Sequence, residues 1–206
     1  MARGRLITIE GIDGAGKTTL ALSLHAALAE RGVDIRLLRE PGGVELAERI
    51  RSLVTDPSLS VGAPAEALLY AAARAQLVQE LLAPQLEAGN WVLLDRFVDS
   101  SLAYQGAARG LGVERIAAVN ELATGGLKAD RTLLLDIDPI SARARQHERA
   151  LVPDRLERED REFFDSVAEG YREIARREPE RVRVIDAAQG ADLVLAEALE
   201  ALADLF

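Results

Sequence analysis

The feature that most narrows what this chain can be is a spacing near its start. Gly11, Gly16, Lys17 and Thr18 in "GIDGAGKT" fit the pattern G-x-x-x-x-G-K-[ST], with the apolar run "RLITIE" (5–10) before it and the helical pattern "KTTLALSLHAALAERG" after it. In a strand, loop and helix of this kind the glycines let backbone N–H groups turn inward as an anion nest. The helix N-terminus adds positive dipole, the lysine reaches between β- and γ-phosphates, and the Thr hydroxyl is offered to Mg²⁺. The stretch therefore predicts a nucleoside triphosphate held by Gly11, Ile12, Asp13, Gly14, Ala15, Gly16, Lys17, Thr18 and Thr19, rather than a glycine-rich turn without a ligand. Asp13 is the anomaly, an acid inside a loop built to attract anions.

Composition sharpens the lysine. Of 25 basic residues only Lys17 and Lys128 are Lys, so a slim ammonium in the loop is not a by-product of composition; it reaches where a planar guanidinium would not fit. At 206 residues the chain suits one domain, 1–206, with a substantial core. The absence of Cys and the presence of only His25 and His147 remove disulfides, thiolate nucleophiles and Cys-based zinc sites. A net charge of −9 argues against a general nucleic-acid surface. No stretch approaches the ~20 apolar residues of a membrane span, and residues 1–9 lack the apolar core of a signal peptide. The expectation is a soluble, cytoplasmic protein whose partners are small molecules.

Apolar runs at 5–10, 34–40, 91–95, 131–137 and 181–186 are nearly continuous rather than alternating, which is the mark of strands buried on both faces of a parallel sheet. Helical patterns fall between and after them at about 17–31, 44–54, 64–88, 113–124, 157–177 and 190–205. That alternation predicts a doubly wound α/β fold. Two stretches resist the pattern, 96–112 with its glycines and hydroxyls and the densely charged 139–161; irregular polar segments after strands are where such sheets keep binding residues.

Other triphosphate-binding classes fit less well. A guanine-reading N-K-x-D is missing, since the only other Lys lies in "GLKAD". A motor-type ATPase strand ending in D-E is replaced by "LLDR", where Asp95 is placed to assist Mg²⁺ and Arg96 to face a second anion. Arg39, Arg74 and Arg96 together suggest that second anion site. Tyr70 and Arg74, four apart on one helix, either stack a base and grip its phosphate or form half-buried core and solvated surface; periodicity leaves the two open. The segment with Arg143, Arg145, Arg149 and Arg155 reads by composition as a solvated charged helix, and as a mobile arginine-bearing lid if phosphoryl transfer is the chemistry. A partition-type nucleotide switch with a protein or DNA partner is the competing class, and it accounts for neither the second anion site nor the lid.

Taken in order, "IEGIDGAGKTT", "LLREPGG", "LLYAAARAQLV", "WVLLDRFVDSSLAYQG", "LLLDIDP", "SARARQHERALVPDRLE" and "VIDAAQ" resemble the bacterial thymidylate kinases over nearly the whole chain. The resemblance implies a P-loop nucleoside monophosphate kinase fold with a five-stranded parallel sheet and a lid at about 139–157. It implies transfer of the γ-phosphoryl of ATP to dTMP with Mg²⁺, a step of dTTP biosynthesis, in a homodimer. It further implies Lys17 and Thr18 at the ATP phosphates and Mg²⁺, Asp95 beside the metal, and Arg39, Arg74 and Arg96 with Asp13 at dTMP. Tyr70 is implied to stack on thymine, Ser101 and Gln105 to meet the thymine edge, and Tyr104 to lie near the sugar. Gly14 places this chain with members whose transition-state arginine comes from the lid, which reverses the compositional preference there and points to Arg145 and Arg149, then Arg155. A cis Glu40–Pro41 bond is implied too, and the helices at 44–54 and 64–88 offer faces for a dimer. Val44, Ala73 and a longer lid depart from the family pattern.

Overall fold

Five short strands form where the apolar runs predict them: β1 Leu6–Glu10, β2 Ile35–Arg39, β3 Trp91–Asp95, β4 Arg131–Asp136 and β5 Val182–Asp186. In the computed structural model, which describes residues 3–148 and 154–206, they make one parallel sheet in the order β2-β3-β1-β4-β5. β1 is central, with Ile7 opposite both Leu93 and Arg131. Because every strand runs the same way, all five carboxyl ends open on one edge. Each strand ends there in a charged residue: Glu10, Arg39, Asp95, Asp136 and Asp186. A doubly wound sheet presents its ligand crevice at that edge.

Helices cover both faces. On one side Ile7, Ile9, Leu93 and Leu133 pack with Leu24 and Leu28 of α1 (Lys17–Glu30), Val167 of α8 (Arg161–Arg177) and Ala198 of α9 (Ala191–Glu200). On the other, Leu6, Val92 and Leu94 meet Ile50 and Val54 of α2 (Glu45–Thr55) and Leu77 of α3 (Ala63–Leu77). Further helices include α6 (Val113–Thr124) and α7 (Pro139–Glu148). α8 starts at Arg161 rather than near 157 because Asp160 caps it, accepting from the Phe163 N–H at 2.9 Å.

The helix expected at 64–88 runs continuously from α3 to α4 (Ala83–Glu87), but through a π-helical turn at Val78–Leu82. Pro84 is the physical reason: it has no N–H, and its ring collides with the carbonyl four residues back unless the turn widens. The segment 96–112, expected to be irregular, is largely helical, as α5 (Val98–Ser101) and a π-helical stretch Leu102–Ala108. Gly106 serves tight packing, whereas Gly110 and Gly112 turn the chain at positive φ after the helix. A Cβ on Gly106 would stand 3.1 Å from Val113 Cα, and one on Gly170 of α8 would stand 3.2 Å from Ala103 Cα. The Glu40–Pro41 bond is cis. Among the described residues no helix is long and apolar enough to cross a membrane.

Leu133 is fully buried at the middle of the sheet. Leu133→Ala is expected to cost about 2–5 kcal/mol in unfolding free energy by removing methyl groups and leaving a cavity. Urea denaturation checks it, and a loss below ~1 kcal/mol would contradict this account of the core.

Candidate active site

The strand-to-helix loop closes as its glycines require. Gly16, at φ 99, precedes Lys17, the first residue of α1, and no acidic side chain occupies that helix's first turn. The N–H groups there remain available to an anion. Ile12 and Ala15 are buried in the core, and Lys17 Nζ donates to the Ile12 carbonyl at 2.9 Å while standing 3.5 Å from Asp13 Oδ1. Burial, then the neighbouring Arg96, lowers the Lys17 pKa.

A cleft of about 1140 Å³ lies over this loop. Asp13, Gly14, Gly16, Lys17 and Thr18 form its floor, and Arg39, Asp95 and Arg96 enter from the ends of β2 and β3. Thr18 Oγ1 donates to Asp95 Oδ2 at 3.3 Å. A hydroxyl and a carboxylate, adjacent and facing the cleft beside an anion nest, fit a Mg²⁺ that draws its other oxygens from phosphate and water. Among the described residues no cluster of three or more His, Cys, Asp or Glu exists to hold a metal by itself. Thr19 is exposed on the first turn of α1, and Gly11 contributes a buried backbone carbonyl.

A smaller cavity of about 100 Å³ adjoins the cleft and is lined by Tyr70, Arg74, Ser101, Tyr104 and Gln105. The segment that carries the last three is helical, which turns Ser101, Tyr104 and Gln105 inward together. Asp13, Glu40, Arg51 and Arg96 border both spaces. Arg96 is the hub of that shared wall. Its Nη2 donates to Asp13 Oδ1 at 2.5 Å and to Tyr104 Oη at 3.3 Å, and its Nη1 donates to the Gly11 carbonyl, Ser100 Oγ and Tyr171 Oη. Its backbone φ of 71° lies in the left-handed region, a conformation that costs about 1–3 kcal/mol and persists only where surroundings enforce it. Burial by itself would raise the Asp13 carboxyl, but Arg96 and then Lys17 outweigh it and hold the group well below the usual carboxylate range. The acid that looked misplaced in an anion-binding loop is the counterion of Arg96.

Behind Arg96 stands Glu10, the buried last residue of β1. It accepts from the Phe97 N–H at 2.7 Å, Ser100 Oγ at 2.6 Å and Tyr171 Oη at 3.0 Å. Sequence reasoning passed over it, although a carboxylate ending a strand just before Gly11 was a usable cue. Tyr171 of α8, Asn120 of α6 and Arg51 carried no cue; only the fold brings them in.

Two arginines are placed differently from the sequence expectation. Arg74 is 2% exposed and turned inward: its Nε and Nη2 flank Glu40 Oε2 at 2.7 Å, its Nη2 also donates to the Phe97 carbonyl, and its Nη1 donates to Ser101 Oγ and Asn120 Oδ1. Four hydrogen bonds and the ion pair with Glu40 thereby engage all three nitrogens of its guanidinium. Arg145 turns away from the phosphate loop, donating to the carbonyls of Ala187 at 2.8 Å and Ala188 at 3.4 Å. Arg143, two residues earlier and therefore on another side of α7, lines the cleft with Gln146 and Arg158. Arg155 is held by Glu66 and the Val54 carbonyl, and Arg149 lies outside the described residues. Gly14 lets α7 approach: a Cβ there would stand 2.1 Å from the Ala142 carbonyl oxygen.

Both the sequence and the fold are similar to those of known proteins. A sequence model of the family described as thymidylate kinase matches residues 9–198. The thymidylate kinase of Alkalilimnicola ehrlichii is 48% identical over 204 residues, covering 98% of this chain and 94% of that protein. That of Rhizorhabdus wittichii is also 48% identical over 204 residues, with 98% of each covered. The crystal structure of thymidylate kinase from Ehrlichia chaffeensis superposes with a TM-score of 0.80 at 29% identity, over 98% of this chain and 99% of that one.

Glu40 carries the site's most testable titration. Burial pushes its carboxyl up to about 7, against the pull of Arg74, from an ordinary value of 4.5. The folded protein therefore keeps this proton where the unfolded chain has lost it, so the group's stabilising contribution is fully present below pH 4.5 and disappears as pH rises through about 7. Relative to Glu40→Gln, the wild-type protein is expected to lose up to about 3 kcal/mol of stability between pH 4.5 and ~8. Denaturation at several pH values checks it; parallel profiles for the two proteins would contradict it.

Proposed function

The chain belongs to the thymidylate kinase family, and we propose that it transfers the γ-phosphoryl group of ATP to dTMP, giving ADP and dTDP. One observation carries the assignment to this site: a donor cleft and an acceptor cavity share a wall of Asp13, Glu40, Arg51 and Arg96. Two phosphorylated substrates meeting at one charged wall are what direct transfer between them needs.

In this reading Gly14, Gly16, Lys17 and Thr18 hold the ATP phosphates. Thr18 and Asp95 would hold Mg²⁺, which when bound would neutralise phosphate charge. Arg96 takes the dTMP phosphate, and Asp13 fixes that arginine while its second oxygen, which accepts from Tyr104 Oη at 3.1 Å, lies toward the acceptor sugar. Tyr70 stacks on thymine, with Ser101 and Gln105 at its edge. Arg39 stands at the cleft rim, where its present partner is Glu48 at 3.1 Å. Arg74, with every guanidinium nitrogen engaged, acts as the bracket that holds Glu40, Ser101 and α6 in place. The chain has no Cys and His25 is engaged with the Ile35 carbonyl; in this reading the step is in-line and without a phosphoenzyme, and the barrier falls through positioning and preorganised charge. Residues 139–157 serve as the lid of a single domain. Its α7 rests on Gly14, and Arg143 takes the place at the phosphates that the sequence reading had given to Arg145.

The test is ADP release with ATP and Mg²⁺ across dTMP, dUMP, dCMP, dGMP, UMP and thymidine. We expect the highest kcat/KM for dTMP, by about tenfold or more. A clear preference for another acceptor overturns the substrate, and slow hydrolysis indifferent to any acceptor would favour a nucleotide switch.

We also propose a homodimer. Leu46 and Leu53 on α2, Leu68 on α3 and Leu122 on α6 are exposed, and these three helices pack side by side. Such an apolar patch on adjoining helices suits a self-complementary interface. Sedimentation is expected to give twice the mass of 22.3 kDa, and Leu53→Glu with Leu68→Glu to give the monomer; a monomeric wild type would refute it.

A further inference from the structure

Glu66, in the first turn of α3, is completely buried yet touches neither cavity. Its carboxylate accepts four hydrogen bonds. Oε1 takes Gln105 Nε2 at 2.9 Å and Arg109 Nε at 3.3 Å; Oε2 takes Arg109 Nη2 at 3.2 Å and Arg155 Nη2 at 2.6 Å. The arginines are themselves held. Arg109 stacks its guanidinium 4.6 Å from the Phe163 ring centre and pairs with Glu159, while Arg155 also donates to the Val54 carbonyl. Burial would raise the Glu66 pKa, but the donors from Gln105, Arg109 and Arg155 outweigh it and keep the group ionised.

An ionised carboxylate accepts hydrogen bonds and donates none. Only the NH₂ end of the Gln105 amide can therefore face Glu66, and the carbonyl oxygen of the same planar amide is left for the cavity that Gln105 lines. A flipped amide would set its oxygen against the carboxylate and lose a buried hydrogen bond. We propose that Glu66 is a specificity-determining positioning residue, which locks the Gln105 amide so that an acceptor meets the nucleobase. A fixed acceptor at this edge suits a base with a ring N–H, as in thymine or uracil, and opposes cytosine, whose ring nitrogen at that position is itself an acceptor. The inference rests on the smaller cavity being the dTMP site. It differs from a role in base contact, because Glu66 acts only through Gln105.

The experiment compares kcat and KM for dTMP, dCMP and ATP in the wild-type protein, Glu66→Gln and Glu66→Asp. A Gln at 66 can donate as well as accept, so it releases the amide. We expect the dTMP-to-dCMP ratio of kcat/KM to fall by about tenfold or more, through KM for the acceptor, with KM for ATP changed by less than about twofold. Glu66→Asp remains acceptor-only and should keep the ratio within about threefold of wild type. An unchanged ratio in Glu66→Gln overturns the proposal, as does an equal loss in both variants, which would mean packing alone. A wild-type protein inactive on dTMP overturns the reaction itself, and the base selectivity with it. A crystal structure of the wild-type protein with dTMP, at a resolution that tells amide nitrogen from oxygen, gives a second route that needs no variant. Gln105 Oε1 on the base and Nε2 on Glu66 is the expected arrangement; the reverse overturns it.

Discussion

The contact between Arg96 and Asp13 is the interaction on which the rest of the site depends. It joins the phosphate loop after β1 to the end of β3, and it holds an arginine in a backbone conformation that a non-glycine residue leaves unless it is restrained. The restraint comes from several elements at once: the Gly11 carbonyl, Ser100, Tyr104 and, from α8, Tyr171. Glu10 then holds Ser100 and Tyr171 from behind. A guanidinium fixed on so many sides is charge already in position before a phosphate arrives, which is the condition under which electrostatic stabilisation costs no reorganisation.

The same device recurs around the site. Arg74 with Glu40, Arg181 with Asp99, and Arg109 and Arg155 with Glu66 are arginines set against buried acids, and Arg181 and Arg109 each reach their acid through two hydrogen bonds. Isolated ion pairs of this kind add little net stability, because desolvation offsets attraction. Their value here is geometric. The planar fork of Arg fixes a carboxylate in orientation as well as distance, and two such pairs stand directly behind residues that face the acceptor cavity. This also makes sense of a chain with a net charge of −9 that handles anions: Lys17, Arg39, Arg51, Arg96, Arg143 and Arg158 all line the cleft.

The fold was legible wherever local chemistry decided it. All five strands lie within about a residue of the runs that predicted them; β1, β3 and β4 are nearly buried throughout and therefore apolar, while the edge strands β2 and β5 are partly exposed. Lys17, Thr18, Asp95 and Arg96 were legible because a loop between a strand and a helix fixes its own geometry. Legibility failed where spacing along the chain does not report direction in space. Arg143 and Arg145 look equivalent in "SARAR", yet a helix sends residues two apart to different sides, and only Arg143 lines the cleft. Arg74 was legible as a cation at the smaller cavity but not as one bound on every side, since Glu40, Phe97, Ser101 and Asn120 are distant from it in sequence.

By itself, then, the sequence determined the parallel sheet, the phosphate loop and the family, because each rests on contacts between near neighbours or on the apolar continuity of a segment. Only the tertiary structure decided that Asp13 belongs to Arg96, that Glu10 and Tyr171 brace that pair, and that Glu66 stands behind Gln105. These links span 39 to 161 positions. No periodicity carries such distances; they exist only once the strands are in order and the helices have closed over them.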